Sequence, residues 1–264
     1  MELKALTLKV AGIAKNAGKI IKDNFGQITQ SSIETKGLND FVTEIDKAAE
    51  KYIVAELSKL IPESGFIAEE GTSDKVGETY NWIIDPLDGT TNFIHGFYPV
   101  AVSIALMKKN EIISGVVYEV GLDECFYAWK NGGAWLNEKK IAVSSKSIFK
   151  NSLLATGFPY HEFEELNKYI DLLKFLTKNT QGIRRLGSAA TDLAYVACGR
   201  FDGFYEYDLK PYDVAAGCIL VTEAGGKLSD FAGDDDYIFG KEIVASNPEI
   251  FNDFLVNVKG YMKF

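Results

Sequence analysis

Apolar residues mark out the chain's elements before any chemistry is considered. Leu3, Leu6, Val10, Ile13, Ala17, Ile20 and Ile21 recur at helical spacing, with Lys4, Lys9, Lys15, Lys19 and Lys22 between them. One apolar stripe flanked by charge predicts an amphipathic helix to about Asn24, closed by Phe25-Gly26. Residues 27–42 read as irregular or weakly extended, with Gly37 and Asn39-Asp40 as turn formers. Thr43 followed by Asp46 is a variant capping box and predicts a second helix to about Leu60, ended by Pro62. Gly65–Ala68 is a short apolar run that ends in Glu69-Glu70-Gly71. Residues 72–79 are polar and read as a mobile flap. Trp82–Ile84 then reads as a buried strand that stops at Asp85-Pro86-Leu87-Asp88-Gly89-Thr90-Thr91-Asn92, where Pro86 and Gly89 set a sharp turn.

Beyond that stretch the pattern changes. Residues 100–107, 111–120 and 124–129 are strand-like, with turns at Lys109-Asn110 and Gly121-Leu122-Asp123, and an antiparallel meander is expected to about Val143. The second half returns to alternation. A strand is expected at 152–156, a helix at 162–178, a short extended piece at 182–186, and a helix capped by Ser188 that Gly199 stops. A strand at 201–207 precedes a helix from Pro211 to Gly225-Gly226. A strand at 243–245 and a last helix from Pro248 complete the chain. Asp234-Asp235-Asp236 reads as a solvated loop.

Composition narrows the picture. With 264 residues and 47% hydrophobic content, the chain can bury a sizeable core, as one large domain or two tightly joined halves. A net charge of -9 disfavours a primary role on nucleic acid or a membrane surface. Cys125, Cys198 and Cys218 are an odd number without metal-site spacing, which suits a reducing compartment. His95 and His161 are the two histidines and leave little room for a histidine-rich zinc site or a Ser-His-Asp triad. His95 is expected near the site in a supporting role. The first helix is amphipathic, not an unbroken apolar signal segment, and no run reaches the ~20 apolar residues of a spanning helix. The reading is a soluble, cytoplasmic protein.

The chemistry gathers at Asp85 and Asp88. Two carboxylates three residues apart around a turn either share a cation or force one to take up a proton. A plainer reading remains open, in which Asp88 caps a helix and the turn is structural. Glu69, Glu206 and Asp213 tilt the balance, because each also sits where a strand or loop meets a turn or helix. Several carboxylates from separate segments are what an oxygen-ligand magnesium site needs. Gly89-Thr90-Thr91 offers backbone N–H groups at a helix start, suited to an anion, and Thr90 adds a hydroxyl that could orient water. Metal-assisted hydrolysis of a phosphate ester follows.

In these motifs the chain resembles the inositol monophosphatase family, within the superfamily of magnesium-dependent, lithium-sensitive phosphatases that includes fructose-1,6-bisphosphatase. The first signature is Trp82–Phe93; the second is Tyr212-Asp213-Val214-Ala215-Ala216-Gly217, continuing to Glu223–Gly226. Glu69-Glu70, the segment 36–43 with Asp46, and Arg185–Ala190 complete the likeness, which covers nearly the whole chain. It implies a layered αβαβα sandwich, a metal and phosphate half over about 1–145 and a substrate half over about 146–264. It implies two to three Mg2+ per subunit, one held by Glu69, Asp85 and the Leu87 carbonyl, another by Asp85, Asp88 and Asp213. Thr90 with Asp46 would orient the attacking water, and the Gly89 and Thr90 amides would grip phosphate. Asp88, Gly187, Ser188, Ala189 and Glu206 would face the substrate, with Lys36 and Asp40 on a mobile loop. Members are usually homodimers acting on small phosphorylated polyols or sugars.

Tyr212 stands where tryptophan is common in the family, and His161 where many bacterial relatives carry arginine, which bears on substrate charge if that position borders the pocket. Inositol-1-phosphate is the expected substrate. The alternatives are fructose-1,6-bisphosphate or dual specificity, a 3′-phosphoadenosine nucleotide and NADP. A haloacid-dehalogenase mechanism is disfavoured, since its aspartates stand two apart. A non-enzymatic role as an RNA-processing or antitermination factor is the remaining alternative.

Overall fold

The computed structural model describes residues 2–27, 33–37 and 40–262, and for 33–37 and 40–42 only the backbone. The first expected helix is α1 (Leu3–Asp23), and the stripe read from the sequence is its buried face: Leu6, Val10, Ile13, Ala17 and Ile21. Within 27–42 the described residues form two paired strands, β1 (Ile33–Gly37) and β2 (Asp40–Thr43), more regular than the spacing suggested. Thr43 caps α2 (Glu44–Leu60) through the expected capping box: its N–H donates to Asp46 Oδ2 at 2.9 Å, and its Oγ1 accepts from Ile45 N–H at 3.1 Å. Such a cap contributes about 1 kcal/mol.

A seven-stranded sheet follows: β3 (Gly65–Ala68), β4 (Tyr80–Asp88), β5 (Ala101–Lys108), β6 (Glu111–Glu119), β7 (Glu124–Trp129), β8 (Ala134–Leu136) and β9 (Lys139–Ile141). Its strands lie in sequence order, antiparallel except for the parallel β3–β4 pair. The meander is therefore as expected. The five-stranded sheet is built from β10 (Leu153–Thr156), β11 (Gly182–Arg184), β12 (Gly203–Tyr207), β13 (Lys227–Ser229) and β14 (Glu242–Ser246), in the order β11-β10-β12-β14-β13. The remaining helices are α3 (Thr90–Ile94), α4 (Leu166–Asn179), α5 (Ala189–Ala197), α6 (Pro211–Glu223) and α7 (Phe251–Tyr261).

Alternation along the strands sorts side chains into three apolar layers. On β4, Trp82 and Ile84 join α1 and α2, whereas Ile83 faces α5 and α6; on β5, Val102, Ile104 and Leu106 take the first side and Ala101 and Ala105 the second. Helices α5 and α6 fill the space between the two sheets. Beyond the five-stranded sheet, Tyr205 and Tyr207 pack with Tyr169 of α4 and Phe254 of α7. The order is helices, sheet, helices, sheet, helices, the αβαβα layering expected from the resemblance. A sheet buried on both faces has near-continuous apolar strands, which is why periodicity placed these strands but not their facing. Among the described residues no helix is long and apolar enough to cross a membrane.

Several boundaries are corrected. Strand β4, expected to stop at Ile84 before a turn set by Pro86 and Gly89, continues through Pro86 to Asp88, with a register shift against β5 between Asp85 and Asp88. Helices α4 and α7 begin four and three residues later than their polar flanks suggested. Strand β13 and a 3-10 turn at Phe149–Asn151 were not anticipated. Residues 72–79, expected as a flap, are stitched down: Phe66 N–H donates to Lys75 O at 2.8 Å, and the Asn81 amide pairs in both directions with Gly77.

Candidate active site

The register shift in β4 is the device that builds the site. Asp85 occupies the same face as Ile83, toward the central helices, and is only 2% exposed. Its Oδ1 accepts the Leu87 N–H at 2.9 Å, an Asx-type contact that bends the strand end. Asp88 follows at the cleft wall, and Gly89 at φ +95° makes the left-handed step into α3. A side chain at Gly89 would be strained there whatever the space. Glu69 arrives from the end of the neighbouring parallel strand β3, its N–H bonded to Ile84 O.

Two helix N-termini complete the wall. Ser188 Oγ lies 2.6 Å from Asp88 Oδ2, and the Ala190 N–H donates to the same oxygen at 2.8 Å. The start of α5 thus holds one carboxylate oxygen of Asp88. Asp213 stands in the first turn of α6, where Oδ2 accepts the Lys210 N–H at 2.6 Å. Ser103 of β5 ties that helix down by donating to Tyr212 O at 3.1 Å. Asp46 lies behind Thr90: Thr90 Oγ1 is 3.2 Å from Asp46 Oδ1 and 3.1 Å from Leu87 O. With its one proton directed to either acceptor, the hydroxyl keeps lone pairs for a third group.

These elements converge on one cleft that is open to solvent. Glu69, Asp85, Leu87, Asp88, Gly89, Thr90, Gly187, Ser188, Ala189, Glu206 and Asp213, all singled out from the sequence, border it. Side chains of Lys36 and Asp40 are outside the described residues. His95 is exposed at the end of α3 and is not among the lining residues, whereas His161 is. The cleft also has neighbours to which the sequence alone gave no role. Arg185, Tyr160, Asp208 and Lys210 border the cleft, and the Asn92 amide donates to Pro99 O and Leu186 O, tying the end of α3 to the segment before Gly187. Arg185 lies within a recognised motif and Lys210 adjoins one, a usable signal; Asp208 is brought in by a loop with no pattern of its own.

Electrostatics fit the donor set to a hard divalent cation. Burial pushes the Asp85 pKa well above the ordinary range, and repulsion from Glu69, Asp88 and Asp213 pushes it further. Asp213 is likewise raised, first by burial and then by Asp88, against the Lys210 N–H. Burial lifts Asp88 to about 6, although the Ser188 hydroxyl, the Ala190 and Ala189 amides and Arg185 pull the other way. Burial also lifts Glu206 to about 8. Among the described residues, no three His, Cys, Asp or Glu side chains already stand as a closed ligand set. The carboxylates are instead close enough to repel one another, and all the donors are oxygen, the chemistry that magnesium suits.

The model of the inositol monophosphatase family matches residues 3–259. The chain belongs to the inositol monophosphatase family. Among its relatives, the Nus factor SuhB of Pseudomonas aeruginosa is 41% identical over 94% of each chain. The inositol-1-monophosphatase of Mesorhizobium japonicum is 39% identical over 98% of each. The solved IMPase of Thermotoga maritima superposes with a TM-score of 0.88 at 34% identity, covering 98% of both chains. The inositol monophosphatase fold therefore accounts for both sheets and the helices between and around them.

Proposed function

We propose that this protein hydrolyses a phosphate monoester, with inositol-1-phosphate as the substrate and magnesium as the cofactor. The observation that carries the reading is the cluster of Glu69, Asp85, Asp88 and Asp213 beside the Thr90–Asp46 pair at the mouth of one cleft. Glu69, Asp85 and the Leu87 carbonyl would hold one ion, and Asp85, Asp88 and Asp213 a second. Bound there, magnesium supplies Lewis-acid stabilisation of phosphoryl oxygens and an acidified water.

The chain's own residues do the rest. Thr90 Oγ1, its proton committed to Asp46 or Leu87, accepts a hydrogen bond from the attacking water and so aims its lone pair at phosphorus. The first amides of a helix lack partners within it, so the Gly89 and Thr90 N–H groups are suited to phosphate oxygens. Glu206, whose pKa burial lifts to about 8, borders the cleft and would face a substrate hydroxyl. Displacement by water, without an aspartyl-phosphate, accords with Asp85 and Asp88 being drawn into the carboxylate cluster. A homodimeric, cytoplasmic protein belongs to the same reading, and sedimentation tests the dimer.

The test is phosphate release from inositol-1-phosphate, fructose-1,6-bisphosphate, adenosine 3′,5′-bisphosphate and NADP, with magnesium or a chelator and with or without lithium. Fastest release from inositol-1-phosphate, lost in chelator, is expected; release from none overturns the reading. The relatives named Nus factor SuhB support a second role beside transcription machinery. Co-purification with RNA polymerase, in the absence of any ester hydrolysis, would favour that role alone.

A further inference from the structure

Strands β10 and β12 are parallel neighbours, with Thr156 paired to Tyr205, so their carboxyl ends open on the same edge. The chain leaving β10 passes Gly157, where a Cβ would come within 1.9 Å of Glu206 Oε1, and continues through Phe158, Tyr160 and His161 along the cleft. The chain leaving β12 places Asp208 at φ +66°, a conformation that Asp tolerates better than most side chains. That side chain is 1% exposed. Its Oδ2 accepts three successive amides, Tyr160 N–H at 3.0 Å, His161 N–H at 2.7 Å and Glu162 N–H at 3.2 Å. His161 Nδ1 lies 3.7 Å from the same oxygen.

The loop is also held at its sides. Arg185 Nη2 donates to the Tyr160 hydroxyl at 3.1 Å, and its guanidinium lies 5.9 Å from the centre of the Phe158 ring. Lys241 pairs with Glu162, while its carbonyl accepts the Leu209 N–H. Within this clamp, Asp208 holds three consecutive amides of the loop's backbone. It lies two residues beyond Glu206 in the chain.

We infer that Asp208 is a positioning residue that sets the substrate's alcohol pocket by anchoring the 158–162 loop, without touching the substrate. This rests on the phosphatase reading above. Loss of the anchor weakens recognition of the polyol and spares the phosphoryl chemistry, which is built on β4, α3 and α6.

Asp208→Gly keeps the left-handed backbone and deletes the carboxylate, whereas Asp208→Asn keeps an acceptor oxygen. Both are compared with wild type in magnesium. Amide exchange at 160–162 is followed by NMR, and kcat and KM are measured for inositol-1-phosphate and 4-nitrophenyl phosphate. In the glycine variant, exchange at these amides is expected to quicken about tenfold or more. KM for inositol-1-phosphate is expected to rise about tenfold with kcat within about twofold, and 4-nitrophenyl phosphate turnover to change less than about twofold. Asparagine is expected to restore most of both effects. Unchanged exchange, or faster exchange with an unchanged KM, overturns the inference. If wild type neither hydrolyses these esters nor binds inositol-1-phosphate, the proposed function fails instead, and exchange alone decides the anchor.

Discussion

At the residue scale the account rests on Asp88, Thr90 and Glu206. Asp88→Asn should keep its acceptor contact with Ser188 Oγ and the Ala190 N–H, so the fold should survive. It removes one charge from the proposed magnesium ligands, and phosphate release should fall about a hundredfold or more with an unchanged melting curve. Wild-type turnover in that variant would sink the metal assignment. Thr90→Ala removes the acceptor that orients water; kcat should fall about a hundredfold with KM nearly constant, and Thr90→Ser should recover much of it. Glu206 gives a pH dependence with a definite sign. Its pKa rises on folding from 4.5 to about 8, so the folded state binds the proton more tightly. That contribution is fully present below the unfolded pKa and is lost as pH rises through about 8. In chelator, Tm should therefore fall between about pH 5 and pH 9, and Glu206→Gln should make the fall shallower. An unchanged slope contradicts the assignment. Asp88 and Glu206 were legible because carboxylates at strand ends stand out against apolar runs. Asp208 was not, because its role depends on a φ angle and on a loop some 48 positions away.

At the element scale, the central layer controls the site. Helix α6 packs on β6 at Gly115, where a Cβ would meet Ile219 Cγ2 at 2.5 Å, Ala216 O at 2.8 Å and Ala216 Cα at 3.0 Å. Backbone cannot yield as a side-chain tip can, so Gly115→Ala must push α6 from the sheet. The expected cost is about 1–3 kcal/mol, read as a lower denaturation midpoint. Because α6 carries Asp213, the magnesium concentration for half-maximal activity should rise as well. Stability lost with unchanged magnesium dependence would mean that α6 does not set the metal ligands. Most elements could be read from the sequence because their signals are local: the α1 stripe, the Thr43–Asp46 capping box, the Ser188 cap and the meander's turns. Others depend on partners. Strand β13 is three residues long and exists through pairing with β14. Strand β4 runs past Pro86 because its pairing with β5 resumes at Asp88, which no local pattern reveals.

At the scale of the whole molecule, three apolar layers hold two sheets apart by a pair of helices, and the cleft lies where that middle layer meets the strand ends. Periodicity separates strand from helix but does not order layers, since strands buried on both faces look alike from either side. The layer order was legible only through family motifs, and the structure reproduces it. What the layering achieves chemically is convergence: the end of β3 delivers Glu69, β4 delivers Asp85 and Asp88, and α6 delivers Asp213 to one cleft, while Asp46 of α2 supports Thr90. We propose that a cation, not a shared proton, offsets the charge this concentrates at Asp85, and that is the central claim. Its most direct test is the rate of phosphate release from inositol-1-phosphate as magnesium is titrated into chelator-treated protein. The account expects no release without magnesium and a saturable rise on its addition, absent in Asp88→Asn. Release that is independent of magnesium, or equal in wild type and Asp88→Asn, would contradict it.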